Sequence, residues 1–398
     1  PHLSALRDGS LSGFTLVQLD DLNQQHAQQL LALKLEQVFG RPVPIAPILA
    51  ERIIERSGGN PFFIEELLNF LRNQGLGEEE LHSLERGELP SSLQSLILSR
   101  IDQLREGQKA TLKVASIVGR SFEAATLWGF YPQLGEARQI KDHLDVLTQA
   151  VLTVREQPEP DLAYGFRHAL TQEVAYESLP YATRSTLHER LGDYIETSAV
   201  DRLDQHLDQL AYHYALGQNE TKKRVYLLKA ARRAQRVYAN TAAIDYFQRA
   251  LPLLSDGERP AVLLDLGRVL ELVGEWQEAK TIYEQAMDLA QSADDPQAQA
   301  WCETSIGELL RKRGQYADAT AWLARAQTAF ELVNDRAGVA QVLHYRGTLA
   351  NQQGDVELAQ RLYEQSLGIR QELDDRAKIA SLYSNLGIVA RHRGDDLE

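Results

Sequence analysis

Residues 266–295 read LGRVLELVGEWQEAKTIYEQAMDLAQSADD, residues 306–335 read IGELLRKRGQYADATAWLARAQTAFELVND, and residues 346–375 read RGTLANQQGDVELAQRLYEQSLGIRQELDD. Laid over one another, they share a period of forty residues: Gly267, Gly307, Gly347 and Gly387 form one ladder. A second ladder, Gly274, Gly314, Gly354 and Gly394, runs seven residues behind it. Ala279, Ala319 and Ala359 share a third register, and Ala286, Ala326 and Ser366 a fourth. The acidic rung Asp294-Asp295, Asn334-Asp335, Asp374-Asp375 closes each unit. Several registers on one period mean a stack of similar units, and a stack presents an extended surface for holding something.

The spacing also predicts what each unit is. Seven residues between the glycines place the first inside a helix and the second at its C-terminal stop. A helix-interior glycine costs ~1 kcal/mol against alanine, so its recurrence predicts a close approach by a second, antiparallel helix. The small residues at intervals of seven belong to that second helix. Tyr283, Leu323 and Tyr363, four residues after the first alanine of each unit, fill the space between neighbouring hairpins. The acidic pair ends one unit and starts the next. An earlier hairpin with Ala243, Phe247 and Ala250 extends the stack back towards residue 205, with degenerate opening units around His213-Tyr214 and Tyr238-Ala239-Asn240.

The bulk properties are those of an ordinary globular chain: 398 residues, 43% hydrophobic and 25% charged. That length accommodates two to four domains. No stretch approaches ~18 uninterrupted apolar residues, so no membrane partner is expected. A net charge of −14 argues against nonspecific binding to nucleic acid. The basic run Lys222-Lys223-Arg224 with Arg232, Arg233 and Arg236 reads as the solvated face of an amphipathic helix. Cys302, the single cysteine, fits a reducing, cytoplasmic setting and reads as a packed thiol. The start at Pro1 and the single methionine, Met287, lead us to expect a piece of a longer protein.

Upstream of the repeats the texture changes. Phe14 to Leu19 alternates like a strand, and with no partner strand nearby it reads as the remnant of a sheet. Helices are expected over 20–39, after an Asp20-Asp21 start, over 46–56 beyond a loop with Pro42 and Pro44, and from Phe62. Further helices over 91–156 include 93–104 and 107–118; Val151–Val154 and Tyr164–Arg167 then flank a Pro-Glu-Pro loop as a hairpin. Helices followed by a two-stranded wing describe a winged-helix module.

The repeat pattern resembles the tetratricopeptide repeat, which carries Leu-Gly on helix A and Ala followed by an aromatic on helix B. Leu266-Gly267, Ile306-Gly307 and Leu386-Gly387 match, and Arg346-Gly347 departs at the apolar position. The six residues beyond the usual ~34 imply longer helices, as in the bacterial signalling subtype. Two upstream stretches resemble a second family, the signal-transduction ATPases with numerous domains (STAND). ERSGGNPFFIEEL, residues 55–67, is similar to the Gly-x-Pro motif of their helical lid. YGFRHALTQEVAYESL, residues 164–179, followed by Arg184 and Leu187-His188, is similar to their winged-helix signature. Within that class the chain looks like the ATPase modules attached to bacterial adenylate/guanylate cyclases, Ser/Thr kinases and LuxR-type regulators.

The resemblance implies a mainly α chain: a helical lid plus winged-helix domain followed by a tetratricopeptide-repeat αα superhelix. Its parts would be a nucleotide-binding remnant (1–20), lid (21–100), winged helix (101–200), degenerate helical repeats (201–258) and repeats of 40-residue period (259–398). It also implies that Gly59, Asn60 and Pro61 shape a nucleotide contact in an intact parent, with Pro61 against the adenine and His168 on the β-phosphate of ADP. Read from the residues alone, Asn60 and Pro61 are an N-cap and first helical position, and His168 a strand-end histidine. No Gly-x-x-x-x-Gly-Lys-Ser/Thr occurs in the sequence, nor an apolar strand ending in paired acids for Mg²⁺. The chain alone is therefore expected to hold no cofactor and not to hydrolyse ATP, the parent using ADP/ATP and Mg. His206 with His213, or His168 with His188, match no zinc spacing.

In tetratricopeptide stacks helix A lines the groove at offsets −6, −3, +1, +4 and +5 from its glycine. The offsets select Trp301, Thr304, Glu308, Arg311 and Lys312 in one unit, and Gln341, His344, Thr348, Asn351 and Gln352 in the next. In the last unit they select Ser381, Ser384, Ile388, Arg391 and His392. Such a surface suits a protein or peptide partner, or a second copy of this chain. The rival functions are a winged helix that reads DNA, opposed by Glu123, Glu136, Asp142 and Asp145 beside Arg138 and Lys141, and a passive scaffold.

Overall fold

The chain divides into two units, one ending at Tyr194 and one beginning at Ile195. The computed structural model describes residues 20–39, 44–73, 90 and 92–393. The strand expected over 14–19, the loop around Pro42 and the last rung, Gly394, lie outside the described residues.

In the first unit α1 (Gln24–Phe39), α2 (Pro47–Ser57) and α3 (Pro61–Asn73) bury Leu31, Leu49, Ile53, Ile64, Leu67 and Leu68 together. Helix α1 starts later than the acidic pair suggests, because the Asn23 side chain accepts from His26 N at 2.9 Å and caps it there. Just before it, Leu22 N donates to Gly59 O at 2.9 Å, which holds the chain extended. Helix α4 (Leu93–Asp102) follows, then α5 (Glu106–Val118), β1 (Ser121–Glu123), α6 (Ala124–Phe130) and α7 (Ala137–Gln149). The hairpin β2 (Thr153–Gln157) and β3 (Ala163–Phe166) precedes α8 (Ala169–Glu177) and α9 (Tyr181–Ser198). The sheet is antiparallel in the order β1-β3-β2, with Phe122 opposite Tyr164 and Val154 opposite Gly165. Strand β1 is a finding: three residues, Ser-Phe-Glu, carry too little alternation to be read from sequence, and only pairing with β3 makes them a strand. Leu112, Leu127, Ile140, Leu144 and Phe166 are buried in this part of the unit.

The second unit opens with α10 (Leu207–Leu216), α11 (Glu220–Arg236) and α12 (Asn240–Ala250), whose Ala243, Phe247 and Ala250 are fully buried. The basic run on α11 is engaged with acids of neighbouring segments: Lys222 with Glu196, Arg224 with Glu258, Arg232 with Asp265 and Arg233 with Asp208. Then come the repeats. Helices A are α13 (Arg259–Leu272), α15 (Pro296–Lys312), α17 (Arg336–Gln352) and α19 (Arg376–Arg393); helices B are α14 (Trp276–Ser292), α16 (Tyr316–Leu332) and α18 (Val356–Glu372).

The close approach predicted from the first glycine ladder is present. A Cβ on Gly267 would lie 2.2 Å from the Tyr283 ring, on Gly307 2.8 Å from Leu323 and on Gly347 2.8 Å from Tyr363; these large side chains thus press on the glycine of their own hairpin, where the spacing places them between neighbouring ones. The buried alanines 279, 286, 319, 326 and 359 complete the contact. Where serine replaces alanine, Ser366 Oγ donates to Ala340 O at 2.7 Å, so the buried hydroxyl is satisfied. Gly274, Gly314 and Gly354 end helices A with φ between 75° and 87°, the left-handed stop that glycine adopts without penalty. The acidic rung divides its labour. Asp294, Asn334 and Asp374 take the left-handed turn, at φ 51–57°. Asp295 and Asp335 then cap the next helix, accepting from Ala298 N and Gly338 N at 2.9 Å each.

Candidate ligand groove

Helix A of each repeat packs on the next helix A more extensively than helix B does on helix B, so the helix A face is the inner one. Its side chains follow one rule. The residue four after the glycine meets the residue five after the next glycine, a separation of 41. Glu271 Oε2 accepts from Lys312 Nζ at 2.6 Å, Gln352 Oε1 accepts from Arg311 at 2.7 Å, and Asn351 faces His392 at 3.3 Å. Three and two before the glycine, His344 meets Asn385 at 2.7 Å, again 41 apart.

Within this ladder each oxygen of the Glu271 and Glu308 carboxylates has a partner. Glu271 Oε1 accepts from the Tyr283 hydroxyl at 2.5 Å while Oε2 holds Lys312. Glu308 takes a bidentate Arg311, both bonds at 2.7 Å, with Lys312 at 3.7 Å. Burial, together with the adjoining Glu271, drives the Tyr283 hydroxyl far above its ordinary pKa. Burial pushes Tyr345 up to about 12, with Glu308 adding to it. Burial also pushes His344 down to about 4, reinforced by Lys378, Arg370 and Arg311. It stands edge-on to Tyr363, at 5.7 Å between ring centroids. Cys302 is buried and pushed up to about 12 by desolvation, which suits a packed thiol and not a nucleophile.

The residues selected by the offset rule separate into four groups. Trp301, Thr304, Glu308 and Lys312 line one cavity of about 540 Å³. Arg311, His344 and Asn351 are engaged in rung-to-rung pairs. Gln341 is turned inward, accepting from buried Arg370 of helix B at 3.1 Å. Ser384 and Arg391 are exposed on α19. The cavity also takes in Arg268, Glu271 and Leu272, which the selection omitted. The same offsets, +1, +4 and +5, applied to Gly267 find all three. Trp276 and Tyr345, also in its wall, follow no groove offset; tertiary packing brings them there.

In the first unit, Asn60 Oδ1 accepts from Phe62 N and Phe63 N at 3.0 and 3.1 Å, capping α3. Gly59 has φ +83°, and a Cβ there would lie 2.2 Å from Leu22 O. Pro61 is exposed, and His168 lies against Phe62 with ring centroids 3.6 Å apart. The fold thus brings Pro61 and His168 to one place through Phe62. Burial lowers the His168 pKa, Glu65 opposes that, and Arg167, Arg100 and Arg120 add to it. Its ring nitrogens make no hydrogen bond to the described residues, so they fit a phosphate acceptor, and the Pro61 ring fits a flat base. The side chain of Asn60 and the carbonyl of Gly59 are engaged internally. Beneath this corner Arg100, on α4, is ion-paired to buried Glu66 of α3 and donates to Ala150 O at 2.5 Å. Among the described residues no cluster of His, Cys, Asp or Glu is arranged for a metal ion, and no helix is long and apolar enough to cross a membrane.

An inner face formed by one helix of each hairpin defines a helical-repeat array. Its particular kind follows from a family comparison: residues 258–331 and 338–398 match the tetratricopeptide repeat. A curated relative, an uncharacterized protein of Rhizobium meliloti (strain 1021), is 29% identical over 150 residues, 37% of this chain and 14% of that protein's length. Among solved structures, a STAND protein with a tetratricopeptide repeat sensor from Pyrococcus horikoshii is 14% identical, at a TM-score of 0.39 over 96% of this chain and 58% of its own. BtubC from P. vanneervenii is 20% identical, at 0.40 over 50% and 83%. Aspartyl phosphate phosphatase F from Bacillus subtilis is 12% identical, at 0.42 over 94% and 82%. These superpositions are too loose to carry a function from one protein to another.

Proposed function

We propose that the second unit is a sensor that holds a protein or peptide along its helix A face. The observation that carries this reading is the cavity of about 540 Å³ on that face, walled by two tryptophans within an otherwise paired ladder. Aromatic walls with a few polar groups are what binding pockets use. The first unit we read as a lid and winged helix of a STAND-type ATPase. The helix–strand–helix–helix–hairpin order of 106–166 supports the winged helix, and the meeting of Pro61, Phe62 and His168 supports a nucleotide-facing edge. When bound in an intact parent, ADP would supply the phosphate that His168 donates to, and partner binding would shift the balance between latched and open forms. The chain itself is proposed not to be an enzyme: phosphate release from ATP stays at background, and a rate that Pro61→Ala with His168→Ala removes would refute this. Nucleic acid is disfavoured, since Lys141 pairs with Glu159 at 2.5 Å and Asp142 and Asp145 share its helix.

The groove reading is tested by panning a random dodecapeptide library on the whole chain. Selected peptides should lose at least tenfold in affinity with Trp301→Ala, since truncating an interface tryptophan typically removes 2 kcal/mol or more, roughly 30-fold. Recovery of no binding peptide would remove this reading.

A further inference from the structure

The cavity on the helix A face arises from a mismatch in side-chain size. Three and two before the glycine, the repeat around Gly307 carries Thr304 and Ser305 where the next carries His344 and Tyr345. His344 is long enough to reach its neighbour on α19. Thr304 and Ser305 are not, and their hydroxyls turn back on their own helix, to Ala300 O at 2.7 Å and Trp301 O at 3.1 Å. Thr304 and Ser305 line an open space, with Trp276, Trp301 and Tyr345 around it.

The polar groups around that space are lopsided in hydrogen-bonding capacity. Every carboxylate oxygen of Glu271 and Glu308 already has a partner. The donors are only partly used. Arg268 donates one bond, to Asp265 at 3.1 Å, and its side chain is 48% exposed. Lys312 is 39% exposed and holds N–H capacity beyond Glu271 and Glu308. The Tyr345 hydroxyl makes no hydrogen bond to a described residue, although burial and nearby Glu308 keep its proton in place. The donors of Arg268, Lys312 and Tyr345 thus converge on the cavity, whose wall also carries the Gln235 side chain and the Thr304 and Ser305 hydroxyls.

We propose that this cavity receives an acidic side chain of a peptide together with the flat or bulky apolar side chain beside it: an aspartate or glutamate within two residues of an aromatic or leucine. The carboxylate takes the free donors of Arg268, Lys312 and Tyr345, and the neighbouring side chain packs between Trp276 and Trp301. The net charge of −14 does not forbid this, because at physiological salt charges beyond about 8 Å are screened and the local donors decide. The proposal rests on the groove reading above and names which partners it accepts.

The test uses the same random dodecapeptide library on the whole chain in three forms: unaltered, Ser305→Tyr and Arg268→Gln. Ser305→Tyr fills the cavity with the side chain the next repeat already carries at that register. Peptides selected by the unaltered chain should be enriched in Asp or Glu within two positions of Trp, Tyr, Phe or Leu. Replacing that acid by its amide, or Arg268 by Gln, should weaken binding about tenfold, the loss of one charge-assisted hydrogen bond. Ser305→Tyr should abolish it. If Ser305→Tyr lowers the melting temperature, Arg268→Gln, at an exposed position, still decides. Peptides without the acidic preference, or bound equally by both variants, overturn the proposal while leaving the groove reading intact; no peptides at all overturn both.

Discussion

Alanine at Gly267 and at Gly387 should change stability in opposite directions, although the two positions share one sequence register. At Gly267 the new methyl would sit 2.2 Å from Tyr283 Cε1 and 2.7 Å from Cδ1 and Cζ. The ring cannot step aside freely: it is fully buried, and its hydroxyl is held by Glu271 at 2.5 Å. Overpacking costs about 2 kcal/mol, and displacing the hydroxyl from a carboxylate about 2 more. The helix propensity of alanine returns about 1 kcal/mol. The net loss is about 3 kcal/mol, or roughly 6–12 °C for a unit of about 200 residues. At Gly387 no described residue lies within 4 Å of the added methyl, so only propensity acts and stability should rise by up to about 1 kcal/mol. Urea titration followed by far-ultraviolet circular dichroism, with midpoints compared between variants, measures both. Equal shifts of the same sign, or a neutral Gly267→Ala, would refute the close-packing account of the glycine ladder.

Two further outcomes follow from buried groups. His344 is held neutral, its pKa near 4 against about 6.5 unfolded. The unfolded chain therefore binds the extra proton first, and this contribution to stability is complete above about pH 6.5 and lost as pH falls towards 4. His344→Gln should flatten that acid limb in melts taken from pH 7 to 4.5, and an unchanged slope would assign the limb elsewhere. Arg100→Met strands the Glu66 carboxylate, whose pKa burial already raises. It should destabilise the first unit by about 3–5 kcal/mol, which chemical denaturation reads, whereas the double variant Glu66→Leu, Arg100→Met should recover much of the loss.

The repeats were legible because each constraint is local and recurs. The glycine ladder reports the approach of Tyr283, Leu323 and Tyr363, and the acidic rung reports a left-handed turn followed by a cap. The groove was legible as a set of positions and not as a chemistry. That Glu308 and Arg311 neutralise one another is local, three residues apart. That Lys312 belongs to Glu271 needs the register between units, which the 41-residue rule supplies only once the helices are stacked. Gln341 sits at a groove offset yet faces inward, because buried Arg370 on helix B draws its carbonyl. Strand β1 and the meeting of Phe62 with His168 join segments far apart in the sequence, and no periodicity encodes such contacts.

Amide hydrogen exchange on the whole chain, with and without a saturating library-selected peptide, tests the groove most directly. Slowed exchange is expected in 259–272, 296–312 and 336–352 and in the first turn of α14, where Trp276 lies, with the rest of helices B unchanged. Protection confined to helices B, or to the first unit alone, would contradict it.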